Sequence, residues 1–120
     1  MARVADYLIL QDNWKLEMDD PTNPVKFNVP DNVHTGSRSV LTFVHKGSSS
    51  YPMVMNVLIN GTVVWTWKTD GSYDAPARCI QEVVEANLLK PGENLLQWDT
   101  HGSWRTNQVS DIVLWIQVET

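Results

Sequence analysis

A single cysteine, Cys79, rules out an internal disulfide and any cysteine-based zinc site within the chain. The expected role for that thiol is a small buried apolar residue. Clustered positive charge is missing too. The nine Lys and Arg residues are scattered singly and the net charge is −5, so neither a phosphate-gripping nucleic-acid surface nor a polybasic membrane patch can be built. No apolar run is long enough to span a bilayer, and no membrane insertion is expected. The opening stretch "MARVADYLILQDNW" does not form a secretion signal, because Asp6 interrupts it and the apolar run from Tyr7 to Leu10 is too short. The chain therefore reads either as cytoplasmic or as a module excised from a longer secreted protein.

Catalytic signatures are equally sparse. His34, His45 and His101 lack the i,i+2 or i,i+4 spacing of a compact metal motif. No G-x-S-x-G elbow and no phosphate-cradling glycine loop occurs. Asp19 and Asp20 could share acid–base work only if a cleft brought such carboxylates together, and nothing predicts one. The expectation is a protein that is not an enzyme and needs no cofactor. His45 shares a strand face with Leu41 and Phe43 and is expected to be a hydrogen-bonded histidine at the core edge.

Strands and turns fill the chain instead. Segments 5–11, 25–29, 39–46, 52–59, 62–68, 78–84, 94–100 and 111–119 are rich in Val, Ile, Leu, Thr and Trp. Turn-formers separate them: "DDPTNP", "KGSSSYP", "NG", "TDGSYDAP", "KPGE" and "THGS". No segment holds an apolar 3.6-residue period for three turns, and the one helical candidate is a single turn at "EANLL", 85–89. About eight short strands over residues 1–120 predict one all-β domain, an antiparallel β-sandwich or jelly roll.

Six tryptophans stand against two Phe and three Tyr. Two of them, Trp65 and Trp67, follow Asn60-Gly61, the dipeptide that favours a type I′ hairpin turn. A two-residue loop places Ile59 opposite Thr62 and, by counting, Asn56 opposite Trp65. One face then holds Asn56, Trp65 and Trp67, and the other Met55, Val57, Ile59 and Val64. A buried Asn amide needs partners at both ends, which favours the aliphatic face as core. The tryptophan face then becomes a surface on which indoles stack sugar rings and Asn56 bonds hydroxyls. The alternative, with Trp65 and Trp67 filling the sandwich, stays open.

In the closing strand Ile112, Leu114, Ile116 and Val118 form the core stripe, so Trp115 points outward with Val113, Gln117 and Glu119. Segment 99–111, "DTHGSWRTNQVSD", reads as a loop that gathers His101, Trp104, Arg105 and Asn107. Aromatic, guanidinium and amide groups together suit a polyol, through stacking and paired hydrogen bonds.

The order of "VLINGTVV", "ANLLKPGENLLQW" and "SDIVLWIQVE" resembles the galactose-binding-domain-like superfamily and carbohydrate-binding-module jelly rolls, over roughly residues 52–119. That resemblance implies the fold, with Pro91-Gly92 making a turn and Leu88 and Leu89 plugging the core end. It also admits a structural calcium, for which Asp19, Asp20 and Asn23 offer hard oxygens, although a plain turn accounts for the same residues.

Two functions follow as expectations. The first is non-catalytic binding of a glycan or polysaccharide through Asn56, Trp65, Trp67, His101, Trp104, Arg105, Asn107, Trp115 and Gln117. The second is a structural or assembly domain, such as a phage, toxin-complex or homo-oligomer component, with tryptophans as interface anchors.

Overall fold

The computed structural model describes residues 2–11, 15–16, 25–49, 53–69, 73–102 and 105–120. Nine strands fill them: β1 (Arg3–Gln11), β2 (Lys15–Leu16), β3 (Val25–Val29), β4 (Ser39–Ser49), β5 (Met53–Ile59), β6 (Thr62–Thr69), β7 (Tyr73–Val84), β8 (Gly92–Gly102) and β9 (Arg105–Glu119). Their pairing is nested. β5 turns back on β6, β4 pairs with β7, β3 with β8 and β1 with β9, all antiparallel. This is a long hairpin rolled on itself, the jelly-roll arrangement. Sheet I has the order β1-β9-β4-β7, with β2 also pairing β9, and sheet II has the order β3-β8-β5-β6.

Alternation along each strand sends one set of side chains between the sheets. Sheet I contributes Leu41, Phe43, Ile112, Leu114, Ile116 and Val118, and sheet II contributes Phe27, Val29, Met55, Val57, Ile59, Leu96 and Trp98, all buried. Each fully buried Leu or Ile contributes about 1.5–3 kcal/mol relative to exposure.

The β5–β6 hairpin corrects the register expected from its turn. Asn60 (φ 50°) and Gly61 (φ 83°) take the paired positive φ of a type I′ turn, and Ile59 does face Thr62. Past Leu58 and Val63, however, a β-bulge intervenes: Val57 faces Trp65, Asn56 faces Thr66 and Met55 faces Trp67. Val64 is the extra residue, and one extra residue moves everything beyond it to the other face. Trp65 and Trp67 therefore join Met55 and Val57 in the core. Trp67 is 7% exposed, and Trp65 packs partly buried against the same cluster. Both indoles meet the fully buried His45 ring edge-on, at centroid distances of 5.2 and 4.9 Å, and Trp65 also meets Phe43 at 5.2 Å. Asn56 lies on the opposite face, where its Oδ1 accepts from the Thr66 hydroxyl at 2.7 Å.

Three further expectations change. Residues 85–89 form a turn rather than a helical turn, with Asn87 at φ 67°, a backbone no right-handed helix allows. Segment 99–111 is mostly strand: β8 runs on to Gly102 and β9 starts at Arg105, extending the sheets well past the predicted strand ends. Cys79 is exposed, because it sits on the edge strand β7 opposite Val44 and points away from the core.

Two asparagines close one end of the sandwich. Asn94 is fully buried. Its Oδ1 accepts from Lys90 N–H (3.1 Å) and Asn60 Nδ2 (2.8 Å), while its Nδ2 donates to the carbonyls of Lys90 (2.8 Å) and Gly92 (2.9 Å). Asn60 in turn donates through Nδ2 to Leu88 O and accepts Leu95 N–H on Oδ1. "LLKPGEN" is thus tied by side-chain amides to the β5–β6 turn.

Candidate functional site

The outward face of sheet I is the unusual surface of this molecule. A solvated face of an antiparallel sheet normally alternates polar side chains outward. Sheet II obeys in part, with Lys26, Glu93, Asp99 and Lys68 at outward positions beside the apolar Val54, Leu58 and Leu95. Sheet I does not. From β9 the outward residues are Val113, Trp115 and Gln117, and from β1 they are Ile9, Tyr7 and Ala5. From β4 they are Thr42, Val40 and Val44, and from β7 Gln81, Val83 and Cys79. None of these is charged, in a chain with 23 charged residues (9 Lys and Arg plus 14 Asp and Glu).

The middle row of this face crosses all four strands: Tyr7, Trp115, Val40, Val83. Four of the six large apolar side chains left exposed among the described residues belong to the face: Tyr7 (54%), Ile9 (62%), Val83 (50%) and Trp115 (45%). The rings of Tyr7 and Trp115 lie 5.5 Å apart, tilted by 41°. Trp115 Nε1–H donates to Thr42 Oγ1 at 3.1 Å, which fixes the indole in place with its polar atom already satisfied. What remains exposed is the flat apolar surface of the indole.

Charge gathers only at the borders. At one end Arg3 lies opposite Glu119, and Arg38 pairs with Glu85 at 3.7 Å. Beside them Arg3 Nη1 donates to Ser37 Oγ (3.0 Å) and approaches His34 Nδ1 (3.3 Å), which itself lies 2.7 Å from Ser37 Oγ. On its other side the His34 ring places Nε2 3.8 Å from Glu119 Oε1. Ser37 Oγ also meets Gln117 Oε1 at 3.2 Å. These contacts tie β1, segment 32–37 and β9 together at the polar rim. At the other end the exposed Asp111 (φ 51°) marks the β9 bulge, and Lys46 follows Val44 on β4.

Of the residues expected from sequence, Trp115 and Gln117 fall on this face as neighbours. Asn56 lies on the outer face of sheet II, and Trp65 and Trp67 are in the core, so the expected grouping of these three on one surface does not exist. The reason is the Val64 bulge. His101 lies on β8, and Arg105 and Asn107 on β9. Trp104, Asp19, Asp20 and Asn23 lie outside the described residues. Among the described residues no group of three or more His, Cys, Asp or Glu side chains is placed to hold a metal ion. Sequence reasoning missed Tyr7, Val40 and Val83. The signal was present, since "ADYLILQ" and "SVLTFV" carry apolar residues at both parities of the strand period, as strands covered on both faces do.

No protein-family model and no curated protein sequence matches the chain. Similarity is found at the level of solved structures. Dimeric latent PorU from Porphyromonas gingivalis matches with a TM-score of 0.76 at 12% identity, over 99% of this chain and 13% of that one. The D431N mutant VP2 protein of infectious bursal disease virus, in T=1 particles, matches with a TM-score of 0.53 at 12% identity, over 98% of this chain and 32% of that one. The chain is all-β and sandwich-like, as these structures are. At such identities the likeness speaks to the fold alone, and the chain spans only a small part of either protein.

Proposed function

We propose that this chain is a non-catalytic assembly domain that seats the outward face of sheet I against another protein surface. The observation that carries the reading is the uncharged, aromatic-to-valine row Tyr7–Trp115–Val40–Val83 on a sheet face that would otherwise be polar. Trp and Tyr are the residue types that dominate binding energy when desolvated at the centre of an interface. Trp115 is pre-positioned by Thr42, so little side-chain freedom is lost on docking. The VP2 structure, a sandwich within a viral particle, supports the same direction.

Carbohydrate binding, the role implied by the galactose-binding-like and carbohydrate-binding-module resemblance, is the second reading. One observation favours it: the Tyr7–Trp115 pair has Gln117 beside it, with Ser37 and Arg3 one step further. A flat aromatic pair flanked by amide and guanidinium groups can stack a pyranose and bond its hydroxyls.

Oxidative footprinting of Trp115 and Tyr7 separates the two. In material from the native source, both rings are expected to be protected relative to the dilute purified chain. Full labelling in native material, with specific binding on a panel of oligosaccharides that Trp115→Ala loses, would replace the assembly reading by the glycan one.

A further inference from the structure

We infer that the occupant of this face is a second copy of the same chain, stacked sheet to sheet about a two-fold axis that runs parallel to the strands between β9 and β4. The inference rests on the assembly reading and specifies its partner.

The row itself is self-complementary under that operation. Its bulky half, Tyr7 and Trp115, lies on β1 and β9, and its slim half, Val40 and Val83, lies on β4 and β7. An axis between β9 and β4 places the partner's Val40 over Trp115 and the partner's Val83 over Tyr7. Large meets small at every position of the row, and no aromatic is stacked on its own image. Strands of the two copies stay aligned, which suits the small crossing angle of packed sheets and their separation of about 10 Å.

The charged rim agrees. Arg3 and Glu119 border the β1–β9 half, and Glu85 and Arg38 border the β7–β4 half at the same end, one step beyond the Ser39–Val84 pair. The same axis brings the partner's Glu85 to the Arg3 side and the partner's Arg38 to the Glu119 side, offset by one outward row of about 6.7 Å that these long side chains can bridge. Each cation then has an anion within reach. Two chains of net charge −5 repel one another through any face, and a face free of charge at its centre adds no local like-charge contact to that repulsion.

Size sets the expected strength. Four strands about 4.8 Å apart, each with three outward residues about 6.7 Å apart, cover roughly 19 by 20 Å. That is about 800 Å² for the two copies together before side-chain relief is counted, below the standard interface size. A reversible dimer is expected, half-formed in roughly the tens to hundreds of micromolar.

Sedimentation equilibrium of the whole chain from about 1 µM to about 1 mM tests this, with circular dichroism confirming that each variant is folded. The wild type is expected to pass from monomer to dimer. Trp115→Lys and Val40→Trp should each weaken association at least tenfold, the second because it sets indole against indole. The combined Trp115→Val, Val40→Trp exchange restores the large-to-small match across the axis and should recover association to within about threefold of wild type. Because Val40 and Trp115 are also neighbours within one chain, urea unfolding of the dilute monomer must show Val40→Trp and the exchange variant equally stable for the rescue to count as intermolecular. A wild type that stays monomeric to 1 mM, a dimer indifferent to Trp115→Lys, or an exchange variant no better than Val40→Trp alone would each overturn the inference. Protection of Trp115 in native material alongside a monomeric purified chain would remove the second copy and leave the assembly reading standing. Absence of that protection would remove both.

Discussion

Replacing Asn94 by alanine should be among the most damaging single changes at the turn end of this sandwich. The side chain is fully buried and makes four hydrogen bonds, two accepted and two donated. Alanine removes all four and leaves Lys90 N–H, two carbonyls and an Asn60 N–H short of partners in a space too small for full hydration. At about 1 kcal/mol per bond, and 1–3 kcal/mol where a buried group stays unpaired, the loss is about 3–5 kcal/mol. Total stability for a domain of this length is on the order of 6–18 kcal/mol, so a quarter or more of it would go in most of that range. Asn94→Asp sharpens the test. It keeps the acceptor oxygen and the shape but points a second oxygen at the carbonyls of Lys90 and Gly92, where an amide N–H₂ belongs. Ionisation is opposed there, so the folded-state pKa of the new carboxyl rises above its unfolded value of about 3.9. A raised acid pKa means that the folded state binds more protons between the two values, and stability falls as pH rises through that window. Below it the protonated acid can still donate one bond. Urea unfolding followed by tryptophan emission at pH 7 and near pH 4 measures both variants. An alanine cost under 1 kcal/mol, or an aspartate cost that is the same at the two pH values, would refute the claim that this amide is a dry, fully used tie.

Other consequences are open to the same assay. Deleting Val64 should remove the bulge yet keep Trp65 opposite Val57 and Trp67 opposite Met55, so unfolding should stay cooperative and tryptophan emission unshifted; an insertion of one residue after Trp65 should instead turn Trp67 outward and red-shift the emission, and the reverse outcome would contradict the register. Trp67→Ala should cost about 3–5 kcal/mol as a core truncation, while Trp115→Ala should cost under about 1 kcal/mol, and equal costs would mean that Trp115 is a core residue in disguise. Gly61→Ala meets open space yet must hold φ near +83°, so it should lower stability by about 1 kcal/mol through backbone strain alone, visible as a shift in the unfolding midpoint at unchanged slope.

The architecture was legible because it depends on features that a sequence states locally. Alternation in "DIVLWIQVE", the Asn60-Gly61 dipeptide and the Pro91-Gly92 turn each fix a short piece of backbone, and eight such pieces of strand length leave few arrangements other than a sandwich. What was not legible was the bulge at Val64. Its cause is non-local: the space between the sheets beside Phe43 and His45 takes two indoles, and that space is defined by β4, which joins this hairpin only after folding. A turn dipeptide sets register for the residues next to it, and tertiary packing decides whether the count survives further out. The same long-range term extended β8 and β9 through 99–102 and 105–111, because β9 finds β4 on one side and β2 on the other.

The candidate surface depended on the opposite kind of information. No single strand announces it. Tyr7 and Ile9, Val40 and Thr42, Val83 and Trp115 each look like ordinary strand residues, and in isolation a lone outward Val or Tyr needs no explanation. Only the order β1-β9-β4-β7 lines them up as one row, and only the contrast with Lys26, Glu93, Asp99 and Lys68 across the molecule makes the missing charge informative. A chain rich in carboxylates has no charge at the centre of this sheet face and places Arg3, Glu119, Arg38 and Glu85 along its border, and that distribution is what the assembly proposal rests on. Among the described residues the tryptophans divide by location: Trp65, Trp67 and Trp98 pack into the core, and Trp115 lies exposed on the outward face of sheet I.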